Sequence, residues 1–398
     1  MRNIRLGLAS IALAISGCTT AGGGFPAPQA AYDGAATAAA FSAFAPNGPD
    51  APGARIDYGD YDQLLQTIVF DVGPSERTAP PKPLPMTGSR VQRQNTSRYR
   101  LEGNRIAFSI QPKALETVTA EIVDSFTALA NSDVFLQMTS DQQLTFWLNF
   151  HNALLINQMA AKYPFQSLRA LEAAGSGESV YEAKLTTVRG APLSLNDIRH
   201  GIVYRYWKDP MTIYGFFLGT VGGPNIRTRA FNDVFLQRQL ERNGRQFVNS
   251  LRGVENLDSS TRVSLVYKDA LGVFDGSTSA MLDHIESLAT VETKRDIFSG
   301  AGVYLDVYDW TVADLSYGDM PPPIGNFQQI DGDGLKGVFD KIGLSPQAQE
   351  FIRQVETKKI RLFRRRGGDV SITDVTPPTE AGDDGAAEPE AAADDDGR

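Results

Sequence analysis

One stretch constrains the fold of this chain more than any other. Leu144, Trp147, Leu148, Leu155 and Met159 place apolar side chains on more than one face of a helix, which Ser140-x-x-Gln143 opens as a capping box and Pro164 ends. A helix that is apolar nearly all round has to be covered nearly all round, so it is expected at the centre of a domain. Leu115, Val118, Ile122, Phe126 and Leu129 recur at spacings of three and four and predict an amphipathic helix to pack on it. Asp57 to Phe70 reads as a further helix and Arg105 to Ile110 as a strand. Leu185–Val188 and Leu193–Leu195 flank Arg189-Gly190-Ala191-Pro192 as a hairpin, with Pro192 placing it at an edge. Ser194-x-x-Asp197 then caps a helix running to about Tyr206. Long helices with few, hairpin-like strands predict an α+β fold: a mainly helical single domain around a small antiparallel sheet, spanning residues 55–320 and flanked by disordered ends.

The ends are expected to be different material. Arg2 and Arg5 precede a compact apolar run, Leu6 to Ile15, too short to span a bilayer, and small residues follow, so residues 1–17 read as a cleaved signal peptide. Ile15-Ser16-Gly17-Cys18 resembles the bacterial lipobox, which implies lipidation of Cys18 as the first mature residue; Thr19 after it implies outer-membrane sorting, facing the periplasm. Residues 18–54, rich in Ala, Gly and Pro, read as a tether that buries too little apolar surface to offset its ordering entropy. Residues 321–366 form a C-terminal extension with a basic helix starting near Ser345. Lys358, Lys359, Arg361, Arg364, Arg365 and Arg366 crowd its end, where cations complement the helix dipole, contact a polyanion such as anionic lipid, or clamp the protein's own tail. That tail, residues 367–398, carries ten acidic residues and one basic one and is expected to be disordered.

The chain's net charge of −9, its expected export signal and the absence of a clean alternation of aromatics with the basic run argue against nucleic-acid binding. One cysteine cannot build a disulfide or a thiolate cluster, and three scattered histidines leave little for a metal, so neither metal nor cofactor is expected. Asp331-Gly332-Asp333-Gly334 lacks the later ligands of a calcium loop and reads as a turn. No Gly-x-Ser-x-Gly elbow is present.

The candidate chemistry lies in the middle of the chain. His200 follows Asp197 by three positions on one helical face, the spacing at which a carboxylate can orient a general base, although Asp197 is also the fourth position of the capping box. Asn149 and Asn152 share a face of the apolar helix and predict an internal hydrogen-bond network or a ligand contact. His151 lies with Leu144, Leu148 and Leu155 and reads as a core or cleft-lining residue. Thr220 is the hydroxyl of the small-residue loop Tyr214 to Pro224 and would need a base within reach to act as a nucleophile.

Phe146-Trp147-Leu148-Asn149-Phe150-His151-Asn152-Ala153-Leu154, then Leu193-Ser194-Leu195-Asn196-Asp197-Ile198-Arg199-His200-Gly201-Ile202, and finally Tyr308-Asp309-Trp310 resemble, in order and spacing, the uncharacterised family DUF547, over roughly residues 56 to 315. The resemblance implies a cysteine-peptidase-like or transglutaminase-like fold, with one or two cysteines in the loop about twenty residues after the motif histidine. Here those positions fall on Leu218 and Gly222, His151 stands where relatives usually have tyrosine, and Val273-Phe274-Asp275-Gly276-Ser277 keeps only part of a later landmark. Thiolate catalysis needs a thiol beside a base, and the only cysteine is at position 18. The expected function is therefore a lipid-anchored envelope protein whose domain binds or scaffolds, with the membrane, an envelope protein or the cell wall as partner. The alternative is a hydrolase or transferase acting on peptide or acyl bonds through His200 without a cysteine nucleophile.

Overall fold

The computed structural model describes Tyr32 and residues 35–82, 95–320 and 345–365, apart from 49, 166, 172–176, 258, 300 and 301. Cys18 and the rest of the segment expected to be a signal peptide, Asp331–Gly334, Arg366 and the acidic tail lie outside the described residues.

The fold is α+β, mainly helical, as the patterning predicts. Helix α1 (Ala35–Ala40) is followed by α2 (Gly59–Ile68), β1 (Val69–Phe70), β2 (Arg105–Ile106), α3 (Pro112–Asn131), α4 (Asp133–Gln137) and α5 (Ser140–Lys162). The expected strand from Arg105 to Ile110 is only two residues long, because the chain turns into α3 almost at once. Helix α5 is the central one: sixteen of its residues are buried, and α3 packs along it. Phe146, Trp147 and Phe150 meet Phe126 of α3, Phe135 of α4 and Phe44 of the N-terminal segment in mostly edge-to-face contacts with ring centroids 5.2–5.9 Å apart.

The capping box of α5 sits one residue earlier than expected. Thr139 and Gln142 form the reciprocal pair, while Ser140 and Gln143 have tertiary partners instead. The Ser140 hydroxyl accepts the Trp207 indole N–H at 2.9 Å, and Gln143 Oε1 accepts the Asn47 backbone N–H at 2.8 Å.

The hairpin is β3 (Thr186–Val188) with β4 (Ala191–Leu193), antiparallel, with Arg189 and Gly190 turning at positive φ. After it the chain forms a wide π-helical turn, Asp197–Val203, running into α6 (Tyr204–Tyr206), then α7 (Leu236–Val248). Strands β5 (Val254–Leu257) and β6 (Ser260–Ser264) pair antiparallel; α8 (Leu265–Asp269), α9 (Thr278–Leu288) and α10 (Val291–Ser299) then carry the chain to β7 (Val303–Val307), which returns parallel to β6. The largest sheet is thus three-stranded and mixed.

Two boundaries differ from the composition-based reading. The segment expected to be tether through residue 54 contributes Tyr32, Phe41 and Phe44 to the core, because these three aromatics, spaced among small residues, find apolar sites on the domain. The basic helix α11 (Pro346–Arg365) is no appendage either. Ala348, Phe351 and Val355 close a second core with Val72, Leu101, Ala107 and Leu315, and the Ser345 hydroxyl caps its first turn. Among the described residues no helix is long and apolar enough to cross a membrane.

Candidate functional site

The Ser194-x-x-Asp197 box forms as read: Asp197 Oδ2 accepts the Ser194 N–H at 2.7 Å, and Ser194 Oγ accepts the Asp197 N–H at 3.1 Å. Lys184 Nζ binds the same Oδ2. Asp197 is therefore committed to the turn and to Lys184, and the expected Asp197–His200 pair is corrected. The carboxylate beside His200 belongs to Asp269, at the end of α8, whose Oδ1 lies 3.3 Å from Nε2. The other oxygen of Asp269 pairs with Arg199 Nη2 at 3.1 Å. All three side chains are at most 2% exposed.

The same Arg199 Nη2 is 3.0 Å from His200 Nε2. A guanidinium only donates, so Nε2 accepts and the ring carries its proton on Nδ1. Burial, set against the nearby Asp269, holds the His200 pKa below its ordinary value, with the Arg199 charge pushing the same way. The imidazole is sandwiched further by rings: Tyr32 stacks on it at 5.4 Å and 21°, and Tyr204 meets it edge-on at 5.2 Å. The fields of Arg199 and Asp269 reach the buried hydroxyls of Tyr181, Tyr204 and Tyr308, so one charged centre organises this part of the interior.

The asparagines of α5 act as backbone clamps. Asn152 donates to the Gly215 carbonyl at 2.9 Å and accepts the Phe217 N–H at 2.9 Å. Asn149 does the same with the carbonyl and N–H of Phe231, at 3.0 and 2.9 Å. With its orientation fixed in this way, Asn152 Oδ1 also accepts from His151 Nδ1 at 3.1 Å. His151 is buried against Phe216, and burial, helped by Arg199, lowers its pKa to about 3; it is neutral and part of the core.

The loop that follows holds the two positions where the resemblance implies thiols. Leu218 is buried, and its carbonyl accepts the Tyr181 hydroxyl at 2.8 Å. Gly222 donates to the Asp309 carbonyl at 2.9 Å, and a Cβ on it would stand 2.5 Å from the Asp309 nitrogen, so this position has no room for any side chain. Thr220 Oγ1 lies 2.5 Å from the Tyr308 hydroxyl, whose pKa burial raises above its ordinary range. That phenol is no base, and Thr220 is not activated by it. Asp309 of the Tyr308-Asp309-Trp310 motif and the residues just after it thus build the backbone wall against which the loop lies, with Val221 N–H donating to the Thr311 carbonyl and Ala313 N–H to the Gly219 carbonyl.

Residues 135–248 match the model of the family described as "Protein of unknown function, DUF547". This segment belongs to DUF547. It contains both clamps, the Ser194–Asp197 box, Arg199, His200 and the loop, while Asp269 and the Tyr308 wall lie beyond the matched stretch. No curated protein and no solved structure matches the chain.

The cations expected to meet a polyanion are partly spent on the body. Lys358 is buried and donates to the Leu101 carbonyl at 2.9 Å, and burial lowers its pKa to about 8. Lys359 donates to the Asp71 carbonyl at 2.5 Å, and Arg361 forms a two-pronged pair with Glu76 at 2.7 and 3.0 Å. Arg364 and Arg365 are exposed. A cavity of about 870 Å³ lies between α11 and residues 76–82 and 95–102, away from His200. No group of three His, Cys, Asp or Glu among the described residues could hold a metal ion.

Sequence reading alone missed Arg199, Asp269 and Tyr32. Arg199 stood beside the motif histidine and could have been flagged as a charge inside a capped apolar turn; for Asp269 and Tyr32 no local signal exists.

Proposed function

We propose that this is a lipid-anchored envelope protein, held at the membrane through Cys18, whose DUF547 segment serves as a binding or scaffold module. The observation that carries the second half is the Arg199–His200 contact. A general base needs a free lone pair on the nitrogen that takes the proton, and Nε2 of His200 already accepts from Arg199 at 3.0 Å in a closed interior. Leu218 in the thiol position supports the same reading. The lipobox-like Ile15-Ser16-Gly17-Cys18 supports the anchor. Replacing Cys18 with Ala should move the protein from the membrane fraction to the soluble one; a variant that still pellets with membranes sinks the anchor.

A second reading, hydrolysis or transfer at peptide or acyl bonds, draws on one feature, the Asp269 carboxylate 3.3 Å from the His200 ring. It requires Arg199 to swing away on substrate binding and the ring proton to move from Nδ1 to Nε2, where Asp269 can accept it and leave Nδ1 as the base. Peptide and acyl-ester substrates separate the two: turnover that falls by about 100-fold or more in His200→Gln establishes the enzyme and ends the scaffold reading.

A further inference from the structure

The His200 ring is covered by a residue of the chain's own N-terminal segment, and that cover has the form of an occupied subsite. Tyr32 lies flat on the imidazole, and Arg205 donates to the Tyr32 carbonyl. The Tyr32 hydroxyl faces Ser194, Asp197 and Glu182; burial first and then the two carboxylates push its pKa above the ordinary phenol range, so it remains a protonated donor. The contact therefore reads a ring face, a phenolic O–H and a backbone carbonyl, the three features of a tyrosine within a peptide. Downstream, the Tyr206 hydroxyl donates to the Phe41 carbonyl at 2.9 Å, and the Phe41 ring fills the space left by Gly201, where a Cβ would stand 2.6 Å from it. Between Tyr32 and Phe41 the sequence is Asp-Gly-Ala-Ala-Thr-Ala-Ala-Ala.

We propose that the surface formed by Ser194, Asp197, His200, Tyr204 and Arg205 is a peptide-binding subsite for a tyrosine side chain, filled in cis by Tyr32 and open to a tyrosine-bearing peptide when Tyr32 withdraws. This rests on the reading of the segment as a binding module and names what it binds. Burial of one ring corresponds to about 10- to 100-fold in the opening equilibrium, a range from which a competing peptide can displace it.

The test follows binding of N-acetyltyrosinamide to the full chain by isothermal titration calorimetry. Tyr32→Ala should bind it at least about tenfold more tightly than wild type, and Tyr32→Phe, which keeps the ring, should stay close to wild type. N-acetylalaninamide should show no such gain. Equal affinity of wild type and Tyr32→Ala for N-acetyltyrosinamide, including no binding by either, overturns the proposal, and so does a Tyr32→Ala protein that binds the two amides equally well. Neither result bears on the Cys18 fractionation or the turnover assay, so failure here is separable from failure of the proposed function.

Discussion

At the scale of single residues, the Arg199–Asp269–His200 centre is where a substitution should hurt most. Removing one partner of a buried ion pair strands the other charge, so Asp269→Ala should cost about 3–5 kcal/mol in urea unfolding. Asp197→Ala removes a capping carboxylate and should cost about 1 kcal/mol. The order of these two values is the discriminating result, since an Asp197–His200 pair would reverse it. Lys358 gives a pH signature. Its folded pKa of about 8 lies below the ordinary 10.5, so between these values the unfolded chain binds more protons and stability rises with pH. Wild type should gain up to about 3 kcal/mol relative to Lys358→Met from pH 8 to 10.5, with the difference flat from pH 6 to 8. Equal slopes for both proteins across the upper window would show that the amine is not desolvated.

At the scale of elements, α5 organises its surroundings by two amide clamps that hold the Gly215–Phe217 turn and Phe231. Asn152→Ala leaves a buried carbonyl and a buried N–H without their partner and should cost about 2–4 kcal/mol, read as a lowered urea midpoint. The loop itself is fixed by close backbone approach. Gly222→Cys, which would put back a thiol at one of the positions the resemblance implies, should destabilise the fold, because its Cβ meets the Asp309 backbone rather than a flexible side chain. A Gly222→Cys protein with the wild-type melting temperature would place that loop elsewhere. Much at this scale was legible: the Ser194–Asp197 box and the hairpin are relations over three to eight residues, encoded where they act. The α5 box was misplaced by one because Thr139-x-x-Gln142 and Ser140-x-x-Gln143 are equivalent patterns locally, and Trp207 and Asn47 decide between them from far away in sequence.

At the scale of the whole molecule, both ends of the described chain are structural. The N-terminal aromatics plug the His200 side, and α11 closes the second core on the opposite flank of the sequence. Truncation after residue 344 should remove the burial of Ala348, Phe351 and Val355, worth about 4–6 kcal/mol, and lower the melting temperature markedly. A truncated protein that melts like the full chain would make α11 a dispensable extension.

The sequence by itself determined the helical α+β character, the central place of α5, the hairpin, the capped turn before His200 and the DUF547 likeness of residues 135–248. Each of these is written in side-chain periodicity or in contacts a few residues apart. Only the tertiary structure decided what the charged and polar groups do. His200 takes its carboxylate from Asp269 and its cover from Tyr32, and Lys358 points inward, because a buried charge or a hydrogen-bonding ring settles on whichever partner the packed chain delivers. That choice depends on distance in space, which no spacing along the chain records.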